Sequence, residues 1–144
     1  MPRGLPCVEE PMAANSIRVV AAVVEQSGLY LITQRRAEAV LGGLWEFPGG
    51  KVEPGEEDTT ALRRELRERL DVEAVVGAKL AERHTAYSDY EVVLVLYAVR
   101  LDAATPPRPV RVREVRWVPS SELDQYPFPA ADQKTMDTLL GIER

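Results

Sequence analysis

Thiols are nearly absent: Cys7 is the one cysteine in 144 residues, so no internal disulfide can form and a reducing, cytoplasmic setting is expected. Long apolar runs are missing too. The longest, Val19 to Val24 and Val92 to Val99, fall far short of the roughly 20 residues that a membrane helix needs, so no membrane partner is expected. Basic charge is in deficit, with 18 Lys and Arg against 23 Asp and Glu, a net charge of −5 and a pI near 5.0. Holding a DNA or RNA polymer through its phosphates needs a basic surface, so no nucleic-acid polymer is expected as partner. A small anion is compatible, provided that local cations or metal ions offset the field. Histidine is represented by His84 alone and aromatics make up 6% of the chain; His84, Trp45, Trp117 and Tyr126 are read as structural.

What remains has ordinary globular proportions, 45% apolar and 28% charged, in a length that suits one domain. The opening residues, MPRGLPCVEEPMAAN, carry three prolines but neither a basic stretch leading into an apolar one nor a cleavage-site pattern. Residues 1–15 are therefore expected to be a loose tail, with Met12 a candidate start, and 16–144 the domain.

Ile17 to Glu25 and Leu29 to Thr33 are β-rich runs joined by Gln26-Ser27-Gly28, which predicts a hairpin. Leu44 to Phe47 reads as a short strand closed by Pro48-Gly49-Gly50. From Glu56 to Leu70 the period is helical, with Leu62, Leu66 and Leu70 on one face and the acids Glu56, Glu57 and Asp58 in the first turn, where the helix dipole favours them. Val72 to Ala86 and Tyr90 to Leu101 read as longer strands, Glu114 to Val118 as another, and Ala130 to Ile142 as a terminal helix. Interleaved strands and helices with hairpins point to an α+β domain with a mixed β-sheet between helices.

The stretch GGKVEPGEEDTTALRRELRERLDV, residues 49–72, concentrates like charge on one short helix. At about 100° per residue, Glu65 and Glu68 lie about 60° apart, beside the leucine stripe. Charges so placed are often a solvated face laced with i, i+3 and i, i+4 pairs. The preceding glycine-rich loop favours a site instead. The stretch resembles the Nudix box, G-x5-E-x7-R-E-U-x-E-E-x-G-U with U a bulky aliphatic, through Gly50, Glu56, Arg64, Glu65, Leu66, Glu68 and Val72, seven of its nine defined positions. Gly43-Leu44-Trp45-Glu46-Phe47-Pro48-Gly49-Gly50-Lys51 is similar to the GLWEFPGGK stretch of MutT-like nucleotide pyrophosphohydrolases, and Tyr126 to Asp132 resembles the segment before their last helix.

The resemblance implies a Nudix-type α/β/α sandwich and hydrolysis of a nucleoside triphosphate to a monophosphate and pyrophosphate with Mg²⁺ or Mn²⁺. Divalent ions suit this chemistry because they clamp phosphate oxygens and acidify a bound water, and Mg²⁺ takes hard oxygen ligands. By the resemblance Glu65, Glu68 and the main-chain carbonyl of Gly50 hold metal, while Arg64 and Glu56 form an ion pair that orients Glu65. The glycines at 49, 50 and 55 would let the loop fold back toward the metals. Two box positions depart: Asp71 replaces a glycine, and Arg69 replaces the second of the paired glutamates and can pair with Glu65 at i+4. A loop glutamate found in some relatives, six residues before the strand tryptophan, falls on Arg111. Glu114 is the nearest acid and a candidate to assist.

For the substrate, Arg35 matches a phosphate-contacting arginine and Lys51 is a second candidate cation; Phe47 and Phe128 are candidate walls for the base, or plain core. Asp132 falls where relatives acting on oxidised guanine nucleotides read the base edge. An ionised Asp accepts hydrogen bonds only, which suits the N4 amine of cytosine or the N1–H and N7–H of 8-oxoguanine. Sanitation of 8-oxo-dGTP is placed first and hydrolysis of CTP or a modified dCTP second. A Nudix-fold module that binds a nucleotide without cleaving it is the alternative class, and monomer and homodimer are both open.

Overall fold

The computed structural model describes residues 16–39, 42–86, 88 and 90–128. The expected tail, the expected terminal helix and Asp132 lie outside these residues. Strand β1 (Ser16–Val23) is followed by β2 (Glu25–Gln26), β3 (Leu29–Gln34), β4 (Trp45–Glu46) and β5 (Gly49–Lys51). Then come helix α1 (Asp58–Leu70), β6 (Ala74–Ala86), β7 (Glu91–Leu101), β8 (Glu114–Pro119) and a 3₁₀ helix, Ser120–Gln125.

The expected hairpin pairs Glu25 with Tyr30 and Gln26 with Leu29. Ser27 and Gly28 both take positive φ, 53° and 80°, as a two-residue turn matching the strand twist requires. The expected mixed sheet has the order β5-β1-β7-β6, with β1 parallel to β7 and its other pairs antiparallel. An antiparallel sheet accompanies it: β3 pairs with β8 along one edge and with β2 and β4 along the other.

Two expectations change. Pro48-Gly49-Gly50 does not simply close a strand, because Gly49–Lys51 forms β5, pairing Val20 with Gly50 and Ala21 with Gly49. The helix begins at Asp58 rather than Glu56, since Glu57 is extended at φ −79°, ψ 153° and serves as N-cap.

Strands β1 and β7 are buried on both faces, and their residues alternate between two cores. Val20 and Ala22 of β1 join Val93, Val95, Val99 and Leu101 of β7 beneath Leu62, Leu66 and Leu70 of α1. Ala21, Leu94 and Leu96 face the other way, onto Ile32, Trp45, Phe47, Leu123 and Phe128. Helix α1 is thus pinned by its leucine stripe, and its adjoining face is carried to the edge of the mixed sheet beside β5.

Candidate active site

Helix α1 ends at Asp71, which takes the left-handed conformation at φ 57°, ψ 48° while its N–H donates to the Arg67 carbonyl. An Asp adopts that geometry at modest cost, where the glycine of the box would have none. Upstream on the same helix, Glu65 lies beside the leucine stripe as its spacing predicts and is well buried, its side chain only 10% exposed, whereas Glu68 is 42% exposed.

Arg64 is the hub that joins the helix to the loop before it. Its Nε and Nη2 donate to the two oxygens of Glu56 at 2.9 and 3.0 Å, a bidentate fork that matches carboxylate geometry. Nη2 also donates to the Lys51 carbonyl at 3.1 Å, and Nη1 reaches Glu65 at 3.1 Å and Glu68 at 3.4 Å. The hydrogen bonds from Arg64 and from the Glu53 N–H hold the Glu56 carboxyl below its ordinary range, and the Glu56 bond raises the Arg64 guanidinium. Glu56 therefore stays ionised and Arg64 charged.

Gly50 lies against this hub. A Cβ there would sit 2.3 to 2.6 Å from the Glu65 carboxylate, so the absence of a side chain is what lets the carboxylate approach the β5 backbone. Glu65 has a second guanidinium on it: Arg69 Nε donates to Oε1 at 2.6 Å, the i+4 pair expected from the sequence.

These groups border an open, polar cleft of about 470 Å³, lined among others by Arg35, Glu53, Arg64, Glu65, Glu68 and Arg111. Arg35 reaches it from the end of β3 and donates to Glu46 at 3.0 Å. Other expected site residues are placed elsewhere. Glu114 bonds to Arg116 and is not among the cleft-lining residues; Phe47 and Phe128 pack on one another at 5.6 Å inside the second core. Lys51 contributes its carbonyl to Arg64, and its side chain is exposed.

Glu46 was given no role from the sequence. Its side chain is 14% exposed, and burial raises its carboxyl against the opposing pull of Arg35, with Arg69 and Glu65 close enough to act on it. The available signal was a lone acid between Trp45 and Phe47: strand alternation turns it away from the core that those aromatics enter.

A NUDIX domain model matches residues 19–138. The chain belongs to the NUDIX family. A CTP pyrophosphohydrolase of Escherichia coli (strain K12) is 37% identical over 126 residues, covering 88% of this chain and 93% of that protein. An 8-oxo-dGTP diphosphatase of Haemophilus influenzae is 31% identical over 131 residues, covering 90% and 96%. The solution structure of the E. coli ORF135 protein superposes with a TM-score of 0.79 at 35% identity, covering 91% of this chain and 94% of that one.

NUDIX hydrolases generally use divalent metal ions, and Glu65, Glu68 and the Gly50 carbonyl are hard oxygen donors of the kind such ions take. The cradle that a Cβ at Gly50 would fill supports that fit. Among the described residues no group of three or more His, Cys, Asp or Glu is arranged to hold an ion, in keeping with Arg69 standing where this NUDIX box would have its further carboxylate.

Proposed function

We propose that this chain hydrolyses a nucleoside triphosphate to a nucleoside monophosphate and pyrophosphate, with Glu65, Glu68 and the Gly50 carbonyl holding a divalent ion. The observation that carries the reading is the Glu56–Arg64–Glu65 relay, which fixes a buried carboxylate at the mouth of a polar cleft. The ion, when bound, would offset phosphate charge and polarise the phosphoanhydride. The chain's residues do the rest. Arg64 holds Glu65 in one orientation, Arg35 presents a cation at the cleft, and the leucine stripe keeps α1 from shifting against β5. Water adds across the anhydride: one P–O bond breaks, one forms, and the protons pass to solvent or product.

Two substrate readings follow from Asp132 and from the relatives' names. The 37% identity to the CTP pyrophosphohydrolase, beside 34% and 31% to proteins named for 8-oxo-dGTP, supports testing a cytosine nucleotide alongside 8-oxo-dGTP. Asp132→Asn, by adding a donor at the base edge, should reorder a panel of dCTP, CTP, methylated dCTP and 8-oxo-dGTP. An unaltered ranking removes Asp132 from recognition.

The test of the activity is pyrophosphate release with Mg²⁺ or Mn²⁺ from that panel. Glu65→Gln and Glu68→Gln should each lower turnover by at least about a hundredfold, the scale on which loss of a charge-stabilising group acts. Wild-type rates in both variants would defeat the reading; binding without release in the wild type would favour a nucleotide-binding module.

A further inference from the structure

Both oxygens of the Glu65 carboxylate are taken by guanidinium groups, Oε1 by Arg69 and Oε2 by Arg64. The two arginines differ in what else holds them. Arg64 is locked by its fork on Glu56 and by the Lys51 carbonyl, whereas Glu65 is the only side-chain partner of Arg69 among the described residues. Arg111, across the cleft edge, makes no side-chain hydrogen bond or ion pair among the described residues and is exposed.

The backbone holds Arg69 and Arg111 together. The N–H groups of Val110 and Arg111 both donate to the Arg69 carbonyl at 3.0 Å, and the Arg108 N–H donates to the Leu70 carbonyl at 2.9 Å. Val112, next in the chain, is buried in the α1 core. The loop bearing Arg111 is therefore docked on the last turn of α1, and both arginines line one cleft. Compared with the box and loop patterns described above, each site has arginine where a glutamate is expected. Each exchange shifts the charge by two units, so relative to a pair of glutamates the cleft gains four, the same change that binding two divalent ions would make.

We infer that Arg69 and Arg111 form a polyphosphate-binding pair, so that the cleft holds the phosphate chain of its substrate without a divalent ion. The inference rests on the reading of this cleft as the phosphate-cleaving site. A guanidinium fork binds phosphate oxygens bidentately, and a tri- or tetra-anion competes well with one carboxylate for Arg69. When Arg69 turns to the phosphates it leaves Glu65 Oε1 open to a cation. Polyphosphate and metal then favour one another's binding, and the coupling is the same whichever binds first.

The experiment is calorimetric titration of inorganic tripolyphosphate in EDTA at low salt, repeated with Mn²⁺. Wild type should bind without metal, more weakly as salt rises; Arg111→Gln and Arg69→Gln should each weaken that binding by at least about fivefold, and Arg111→Lys should recover part of it. Mn²⁺ affinity of the wild type, read by electron paramagnetic resonance, should rise with tripolyphosphate present and lose that dependence in Arg69→Gln. Arg111 is exposed, so its variants keep the fold available for comparison. Wild type that binds tripolyphosphate only with Mn²⁺, or glutamine variants that bind it as wild type does, would overturn the inference. Pyrophosphate release by the wild type with Mg²⁺ is read separately: release with no metal-free binding sinks the arginine pair alone, and metal-free binding with no release supports the pair and sinks the hydrolase.

Discussion

Gly49 and Gly50 are neighbours in one strand, yet the space each leaves is used differently. A Cβ on Gly49 would lie 1.9 Å from the Val20 carbonyl oxygen and 2.7 Å from the Ala21 Cα. Those are backbone atoms of the paired strand and have nowhere to go. Gly49→Ala should therefore cost stability, by about 2 kcal/mol or more in chemical denaturation, because overpacking forces the strands apart. A Cβ on Gly50 meets instead the end of the Glu65 side chain, which can turn away. Gly50→Ala should leave the melting temperature within a few degrees of wild type while Mn²⁺ affinity and pyrophosphate release fall at least about tenfold, as when a ligand loses its support. Equal effects of the two substitutions on stability would contradict this division. Neither role was legible beforehand: the pair read as loop hinges, yet among the described glycines positive φ is found at Gly28, Gly43 and Gly55, not here. A glycine needed for close approach looks the same in sequence as one needed for a turn. By contrast, the competition of Arg69 for Glu65 follows from i+4 helical spacing, and the partnership of Glu56 with Arg64 was implied by the resemblance to the Nudix box.

Helix α1 shows what periodicity can and cannot reveal. Leu62, Leu66 and Leu70 are fully buried as their spacing requires, and the long strands β6 and β7 lie close to where their β-rich runs place them. The split into two sheets was not legible, because β4 and β5 are two and three residues long and carry too little pattern to reveal a partner. Glu65 sits at the edge of the leucine seam as its spacing predicts, but more deeply buried than a flanking carboxylate ordinarily is. Its burial is tolerable because two guanidinium groups pair with it. The helix consequently depends on its apolar anchors to hold the site in register. Leu66→Ala removes a fully buried side chain one residue from Glu65 and should cost about 2 to 5 kcal/mol. Some activity should survive below the lowered melting temperature, as denaturation followed alongside pyrophosphate release would show. A stability loss below about 1 kcal/mol would mean that α1 is not packed as described.

Across the whole molecule, a polar contact at Asp58 ties the start of the helix to the inner strands of the mixed sheet. Asp58, the first residue of α1, accepts from Arg18 of β1 through Nε and Nη2, both at 2.8 Å, and from the Tyr97 hydroxyl of β7 at 2.8 Å. It therefore joins two parallel strands to the start of the helix whose other end carries the cleft. The Arg18 hydrogen bonds hold the Asp58 carboxyl below its ordinary 3.8 despite partial burial, while burial, then the bond to Asp58, pushes the Tyr97 hydroxyl up to about 12. The two shifts act at opposite ends of the pH scale. A depressed carboxyl contributes stability in full above its unfolded value and loses it as pH falls through the folded one; a raised phenol contributes in full below 10 and loses it between there and about 12. Glu56, Glu73 and Glu82 are depressed too, so Asp58 supplies one share of the acid slope. Asp58→Asn should melt below wild type at pH 7, with the gap closing as pH drops below 3.8; Tyr97→Phe should keep its gap from pH 7 to 10, narrow it below 3.8 as the carboxylate that accepts its hydrogen bond protonates, and lose it between pH 10 and 12. Calorimetric melting from pH 2.5 to 11.5 reads both limbs. Gaps that stay constant across that range would show that Asp58 and Tyr97 do not couple the helix to the sheet through their ionisation.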